Sequence, residues 1–357
     1  MSLDLFTFVF FYFIIINSTI GYGYLVARTT KIDLKFFNSS FLGLLGIFIL
    51  LLISYTSHLF VKHNYFHNVI ILIIGILSFV YFFLREGKKK NIIKLNFFFL
   101  LLFISFIIFK SHDDFSYYHF PYIYYLTQSK IMLGIGNFNH GFRTPSSIFY
   151  LNSLFYLPVI KYYFFQIGAI LIMGFSSYQF IYLIKEKLTQ KKYDKFFFLS
   201  LFFFMFTVIF FYRIAEHGTD RSAQILIFLL IIELLIIINF DKSIKECIIK
   251  ILIILGLVIS LKSFYILYLA FTFPVFYYFI IERKFRYILL IFKSLYFYLF
   301  LFLFGNILFV NFANSGCLIY PVSITCSDYF IWSIPLQEVS AMNDWYEQWS
   351  KAGANPN

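Results

Sequence analysis

The sequence has little charge. Only 13% of its 357 residues are Asp, Glu, Lys or Arg, whereas soluble domains carry about 25%. A chain so poor in charge, and 61% hydrophobic, cannot cover a surface that faces water. The shortage therefore excludes an ordinary soluble domain and favours a membrane protein.

Cysteine is also scarce, with three residues in the chain. Cys317 and Cys326 lie near the C-terminus, and no second cysteine pair at matching spacing supports a metal site. If their segment lies in an oxidising compartment, the two residues are expected to form a disulfide.

Apolar runs long enough to cross a bilayer, about 20 helical residues each, occur throughout the chain. They do not alternate with polar residues, as barrel strands would, so the predicted fold class is an all-α, polytopic integral membrane protein. About ten transmembrane helices are predicted, at 3–26, 36–61, 68–84, 95–109, 162–184, 196–212, 222–239, 248–260, 263–281 and 288–311. The segment 248–281 is either two spans or a re-entrant hairpin.

Acidic residues are outnumbered by basic ones, 17 to 29. One set of alternate loops holds 19 of the Lys and Arg residues, and the opposite set holds nine. This asymmetry indicates orientation in a membrane rather than nucleic-acid binding, and the richer set should be cytoplasmic. The prediction is a multi-pass protein of the cell (inner) membrane with an extracytoplasmic N-terminus.

Two long segments then fall on the extracytoplasmic side, a loop at 110–161 and a tail at 312–357. The tail ends in a polar aromatic stretch without a closing span. It is either a small outer cap or a sign that the chain is C-terminally incomplete, and we favour the second interpretation.

The strongest local motif opens the predicted outer loop. Asp113 and Asp114 directly follow a span, and Tyr117-Tyr118-His119 comes next. A carboxylate shielded by aromatic neighbours at a membrane surface can have a raised pKa that suits proton abstraction. The alternative is a solvated helix end.

This motif resembles the GT-C superfamily of membrane glycosyltransferases, which share a multi-helix core and a catalytic carboxylate in the first large outer loop. The resemblance implies a polyprenyl-phosphate-linked sugar donor, Asp113 as general base, and Asp114 and His119 as residues that orient the base or a divalent metal ion. It covers about 95–311. On this basis 1–94 is a three-helix extension, 95–311 the core and 312–357 the tail.

The same loop continues through a glycine-rich stretch, 134–147, that contains His140 and Arg143. Glycines let backbone amides approach an anion, and the guanidinium group of Arg143 suits a phosphate. Both residues are therefore predicted to bind the donor phosphate, together with Lys262 between two apolar segments. The alternative for 134–147 is an ordinary turn-rich loop. The alternative for Lys262 is a lysine whose side chain extends to the membrane interface.

A short polar segment, 213–221, lies between two predicted spans. Candidates for binding the acceptor sugar are Glu216, His217 and Arg221. The alternative is that the charged residues of the segment form salt bridges with one another.

The leading hypothesis is a membrane glycosyltransferase that moves a hexosyl or pentosyl group from a polyprenyl-phosphate donor to a saccharide, lipid or protein acceptor. The sequence identifies no definite cofactor, although a divalent metal ion is compatible with the motif. The alternatives are a cell-surface polysaccharide polymerase or ligase that uses outer arginines, and a proton-coupled transporter that uses Glu233, an acidic residue within a predicted span.

The disulfide prediction can be tested by thiol labelling. Labelling of Cys317 and Cys326 is expected to require a reductant, because bonded sulfurs do not react with thiol reagents. Equal labelling with and without reductant would contradict the bond.

Overall fold

The computed structural model describes residues 4–85, 89–107, 114–211, 219–239 and 244–351. Within these ranges the chain forms α-helices, short 3-10 helices and one π-helix. The fourteen α-helices are α1 (Leu5–Thr29), α2 (Ser39–His58), α3 (Tyr65–Arg85), α4 (Lys89–Ile107), α5 (Phe120–Gln128), α6 (Ser147–Ser153), α7 (Ile167–Thr189), α8 (Lys195–Phe210), α9 (Thr219–Asn239), α10 (Ile244–Leu261), α11 (Phe273–Ile281), α12 (Phe285–Lys293), α13 (Leu295–Ser315) and α14 (Leu336–Ser350).

Eight helical segments of the described chain are long and apolar enough to cross a membrane. They are α1, α2, α3, α4, α7, α9, the segment Ser263–Ile281 that ends in α11, and α13. The predicted all-α membrane class is thus confirmed, and eight of the about ten predicted spans correspond to these segments. The other two predicted spans are not among the eight because one is short and one is charged. α8 has only 16 residues, and α10 carries Lys245, Glu246 and Lys250 in its first two turns.

The apolar segment 248–281 consists of two pieces. α10 ends at Leu261, and Lys262 is extended, with φ −151° and ψ 137°. A 3-10 helix, Ser263–Thr272, then continues into α11, where Pro274 occupies the first turn that proline tolerates. The break at Lys262 places this cation at the junction of two apolar helices.

The loops separate into two ends of the bundle. At the lysine-rich end, the Thr30 and Tyr296 hydroxyls are 2.9 Å apart, and Lys195 donates to Asn239 over 2.6 Å. The opposite end, which we call the histidine end, contains the five described histidines: His58, His63, His67, His119 and His140. The grouping of loops by charge therefore follows the fold, while the assignment of the histidine end to the outside remains a prediction.

Helix α2 lies at the centre of the bundle, where it packs against α1, α4, α6, α7, α10 and α13. Its contact with α1 is close because each helix presents a glycine to the backbone of the other. A Cβ atom at Gly23 would lie 1.9 Å from the Leu42 carbonyl oxygen, and one at Gly46 would lie 1.8 Å from the Thr19 carbonyl oxygen. Small residues give this kind of close backbone packing in membranes. Residues of the first 94 positions thus share one core with the later helices.

The segment from 114 to 166 packs into the bundle instead of forming an extended outer loop. All seven residues of α6 are buried. Ser147 on this helix shares a hydrogen bond with Ser260 of α10 at 2.8 Å, and Asn152 accepts one from the Gly168 amide at 2.7 Å. α5 ends at Gln128 and buries Tyr122, Ile123 and Leu126.

The glycine contact predicts a difference between two Gly→Ala substitutions. Gly46→Ala should destabilise the protein by about 1–3 kcal/mol, the usual range for overpacking, because the new methyl group displaces α1. Gly305→Ala in α13 should be neutral or stabilising, since nothing lies within 4 Å of a Cβ there and alanine favours the helix by about 1 kcal/mol. Thermal unfolding in detergent measures both. Equal effects of the two substitutions would contradict the packing.

Candidate functional site

Asp114 and Tyr118 form the first part of a polar cluster at the histidine end. Asp114 immediately precedes the π-helix Phe115–His119, and the Tyr118 hydroxyl is hydrogen-bonded to its carboxylate. Burial raises the pKa of Tyr118, and the charges of Asp114 and Asp220 raise this pKa further. Tyr118 therefore keeps its proton at neutral pH and acts as a donor. Gly141 makes room for its ring, since a Cβ atom there would lie 2.2 Å from the ring.

Asp220, Lys262 and Tyr265 form the second part. Asp220 lies in the first turn of α9, and its carboxylate is 2.6 Å from the Lys262 ammonium group. The Tyr265 hydroxyl donates to the same carboxylate. Since Asp220 also acts on Tyr118, the cluster brings together a carboxylate from the 114–119 segment and an ion pair from α9 and the α10 junction. It therefore contains a carboxylate, a protonated phenol and a cation, the groups required for proton transfer and anion binding.

Arg143 lies beside this cluster in a network of its own. Only 7% of the residue is exposed. Its Nε donates to the Gly136 carbonyl oxygen at 3.1 Å, one terminal nitrogen donates to the Tyr320 hydroxyl at 2.8 Å, and the other lies 2.5 Å from the Glu338 carboxylate. Arg143 thus ties the glycine-rich segment to the C-terminal region. To bind a phosphate with both terminal nitrogens, it would have to release Glu338.

The C-terminal helix α14 covers the cluster. Burial raises the pKa of Tyr346, which lies close enough to Asp114 and Arg143 to be influenced by both charges. The His140 ring centroid is 6.3 Å from that of Tyr346, and burial, followed by the charge of Arg143, lowers the pKa of His140. The turn before α14 is closed by a disulfide between Cys317 and Cys326, the pair expected from the sequence. The tail is therefore a wall of the candidate site.

The structure brings together some of the predicted site residues. Asp114, His119, His140, Arg143 and Lys262 all lie at the histidine end, and His119 is buried with its ring 4.8 Å from that of Phe149. Arg221 is next to Asp220 in the first turn of α9. Asp113, Glu216 and His217 lie outside the described residues. Across the described ranges, no group of three or more His, Cys, Asp and Glu side chains is placed to hold a metal ion.

Glu233 lies far from this cluster, towards the lysine-rich end. It is 2% exposed, and its carboxylate is 3.3 Å from the ammonium group of Lys250. That ammonium group also lies 5.5 Å from the centre of the Phe41 ring. An intramembrane carboxylate needs such a partner, and the pairing gives Glu233 a structural role in joining α9 to α10.

Two residues of the cluster, Tyr118 and Tyr265, and Glu338 of the Arg143 network were not predicted as site residues from the sequence. Tyr118 is one of 29 tyrosines, and Tyr265 lies in an apolar run that otherwise indicates only a span. Glu338 is far along the chain from Arg143, and no motif surrounds it. Only for Tyr118 was there a signal, because it belongs to the Tyr-Tyr-His sequence beside the acidic pair.

Comparisons with known proteins place the chain in one family. The model of the family described as Domain of unknown function (DUF8201) matches residues 5–356. The chain belongs to this family. No curated protein and no solved structure matches it. The matched residues include both the polar cluster and α14.

The Arg143 network predicts a graded loss of stability. Arg143→Leu should cost about 1–3 kcal/mol, because it leaves the Tyr320 hydroxyl and the Gly136 carbonyl group without a partner. Glu338→Gln should cost less than about 1 kcal/mol, since 48% of the Glu338 side chain is exposed.

Thermal unfolding and the rate of protease cleavage within 316–335 measure these effects. Glu347→Gln is the matched control, since Glu347, also in α14, pairs with exposed Lys351 four positions along the chain instead of with Arg143. A larger effect for Glu338→Gln than for Arg143→Leu would contradict the assignment of Arg143 as the centre of the network.

Proposed function

We propose that the protein is a membrane glycosyltransferase that moves a sugar from a polyprenyl-phosphate-linked donor to an acceptor hydroxyl, at the histidine end of the bundle. The observation that carries the proposal is that the hydrogen-bonded pair of Asp114 and Tyr118 lies close enough to the ion pair of Asp220 and Lys262 for the charge of Asp220 to act on Tyr118. The resemblance of that pair to GT-C enzymes supplies the reaction class. The helices around it are long and apolar enough to hold the site at a bilayer surface.

In the proposed reaction, an aspartate of the 113–114 pair accepts the proton of the acceptor hydroxyl. The hydroxyl oxygen then forms a bond to the anomeric carbon, and the bond from that carbon to the phosphate oxygen breaks with its electron pair on the phosphate. Direct displacement inverts the anomeric centre. Asp113 is the proposed base, while Asp114 orients the site through its hydrogen bond with Tyr118.

The leaving phosphate requires a cation. Lys262 is better suited than Arg143, because its one described ion pair is with the partly exposed carboxylate of Asp220, whereas Arg143 is buried and bonded at three positions. A donor phosphate would share Lys262 with Asp220, and Tyr265 would hold Asp220 during this exchange. His140 and Arg143 would then support the site through Tyr346 and Tyr320.

The proposal predicts different kinetic effects for three substitutions. Asp113→Asn should abolish transfer of labelled sugar from a polyprenyl-phosphate donor in membranes. Asp114→Asn should lower the rate by about 10²-fold or more, the usual contribution of a positioned proton acceptor and its partner. Lys262→Met should mainly weaken donor binding and raise KM, because it removes the cation near the phosphate.

Asp344→Asn in α14 is the matched control, since it changes an exposed carboxylate at the same end of the bundle. Each variant is first checked for expression and a single elution peak. Full transfer activity in Asp113→Asn would refute the base, and equal losses in Asp344→Asn would show that the effects are not specific to the cluster.

A further inference from the structure

A groove of about 530 Å³ lies on the histidine end, away from the polar cluster. It is formed by the turn between α2 and α3, the first turns of α3, and the end of α5. Gln128 and Lys130 line it, whereas Asp114 lies at the opposite end of the π-helix and α5. Since α5 separates the two places, the groove is distinct from the proposed reaction site.

The walls of the groove are apolar and exposed. Phe60 is 73% exposed, Phe66 76% and Ile70 43%. Below them Ile74 and Leu77, 43% and 64% exposed, continue along α3 at helical spacing from Ile70. These residues form one apolar strip that runs from the groove along the exposed face of α3. A hydrocarbon chain fits such a strip, while water does not.

The rim of the groove is cationic. Lys62 and Lys130 are both exposed and come from different segments, and His67 completes the polar lining on α3. None of the described residues that line the groove is acidic. Because α2 ends at His58 and α3 begins at Tyr65, this rim lies where the spans end, which is the level of lipid headgroups.

Hydrogen bonds hold the two lysine segments in a fixed arrangement. The His63 amide donates to the Leu126 carbonyl oxygen at 2.9 Å, and the Ile131 amide donates to the His58 carbonyl oxygen at 3.1 Å. The His58 Nε2 atom lies 3.0 Å from the Ser129 carbonyl oxygen. Lys62 and Lys130 adjoin these bonded residues, so their backbones are held close to each other before any ligand arrives.

Asn68 fixes the back of the groove. Its amide group donates to the carbonyl oxygens of His63 and Ser153 at 2.8 Å, and its Oδ1 atom is 2.9 Å from His67 Nδ1. The His67 ring is stacked on the ring of buried His63, with centroids 4.9 Å apart. His67 is therefore held in place from inside the bundle while it lines the groove.

We propose that this groove binds an anionic phospholipid, with the headgroup phosphate between Lys62, Lys130 and His67 and an acyl chain along Ile70, Ile74 and Leu77. The apolar strip requires a lipid, and the cationic rim without a lining carboxylate selects a negative headgroup. The proposal does not depend on the transfer reaction, since it uses none of the residues of the polar cluster.

Native mass spectrometry of the full chain in detergent tests the proposal, with phosphatidylglycerol and phosphatidylcholine added separately. The wild type should retain phosphatidylglycerol in preference to phosphatidylcholine. Lys62→Gln combined with Lys130→Gln should lower phosphatidylglycerol retention on the order of tenfold, because both charges at the rim are lost. Lys161→Gln, an exposed lysine outside the groove, is the control and should leave retention unchanged.

A second variant tests the apolar strip without altering charge. Ile70→Trp fills the groove and should reduce retention, whereas Ile104→Trp on the exposed face of α4 should not. Equal retention of the two lipids, a loss in Lys161→Gln as large as in the double variant, or complete displacement by millimolar glycerol phosphate would overturn the proposal. The last result would assign the rim to a soluble phosphate.

Discussion

The close contact of α1 and α2 is the constraint on which the rest of the structure depends. In a lipid environment, apolar surface gives no preference for one helix neighbour over another, so helices associate through close packing and hydrogen bonds. Gly23 and Gly46 allow the two backbones to touch, and this fixes α2 at the centre of the bundle. α6, α7, α10 and α13 then pack around α2. The polar cluster forms at the histidine end, where α9 begins and α10 ends.

The two ends of the bundle differ in how their charged side chains are arranged. At the lysine-rich end, basic residues mostly face outward, and the buried pair of Glu233 and Lys250 satisfies two charges within the helices. At the histidine end, charged groups are joined into connected networks. Arg143 with Glu338, and Lys262 with Asp220, each connect segments that are distant in the chain. Such networks position groups accurately, which is a requirement of a reaction site rather than of stability alone.

The tail has a larger part in the candidate site than its position at the end of the chain suggests. The disulfide of Cys317 and Cys326 closes the turn after α13, and Arg143 binds Tyr320 within that turn and Glu338 in α14. This arrangement brings Tyr346 close enough to Asp114 to be influenced by its charge. The groove at Lys62 and Lys130 lies on the other side of α5, so the same end of the bundle offers a polar cluster under α14 and an apolar groove open to lipid.

The sequence by itself determined the membrane class, the helical architecture and the division of loops into two sets. These features follow from composition and from runs of apolar residues. Such signals are local, since each run can be recognised within a single helix without knowing its neighbours. It also marked Asp114 and Lys262 as polar residues at the ends of apolar segments. Only the tertiary structure decided that Asp220 pairs with Lys262, that Arg143 is bonded to Glu338, and that the segment after Asp114 packs inward. These contacts depend on which helices become neighbours, and neighbours in a bilayer are chosen by the shape of glycine-lined surfaces rather than by hydropathy.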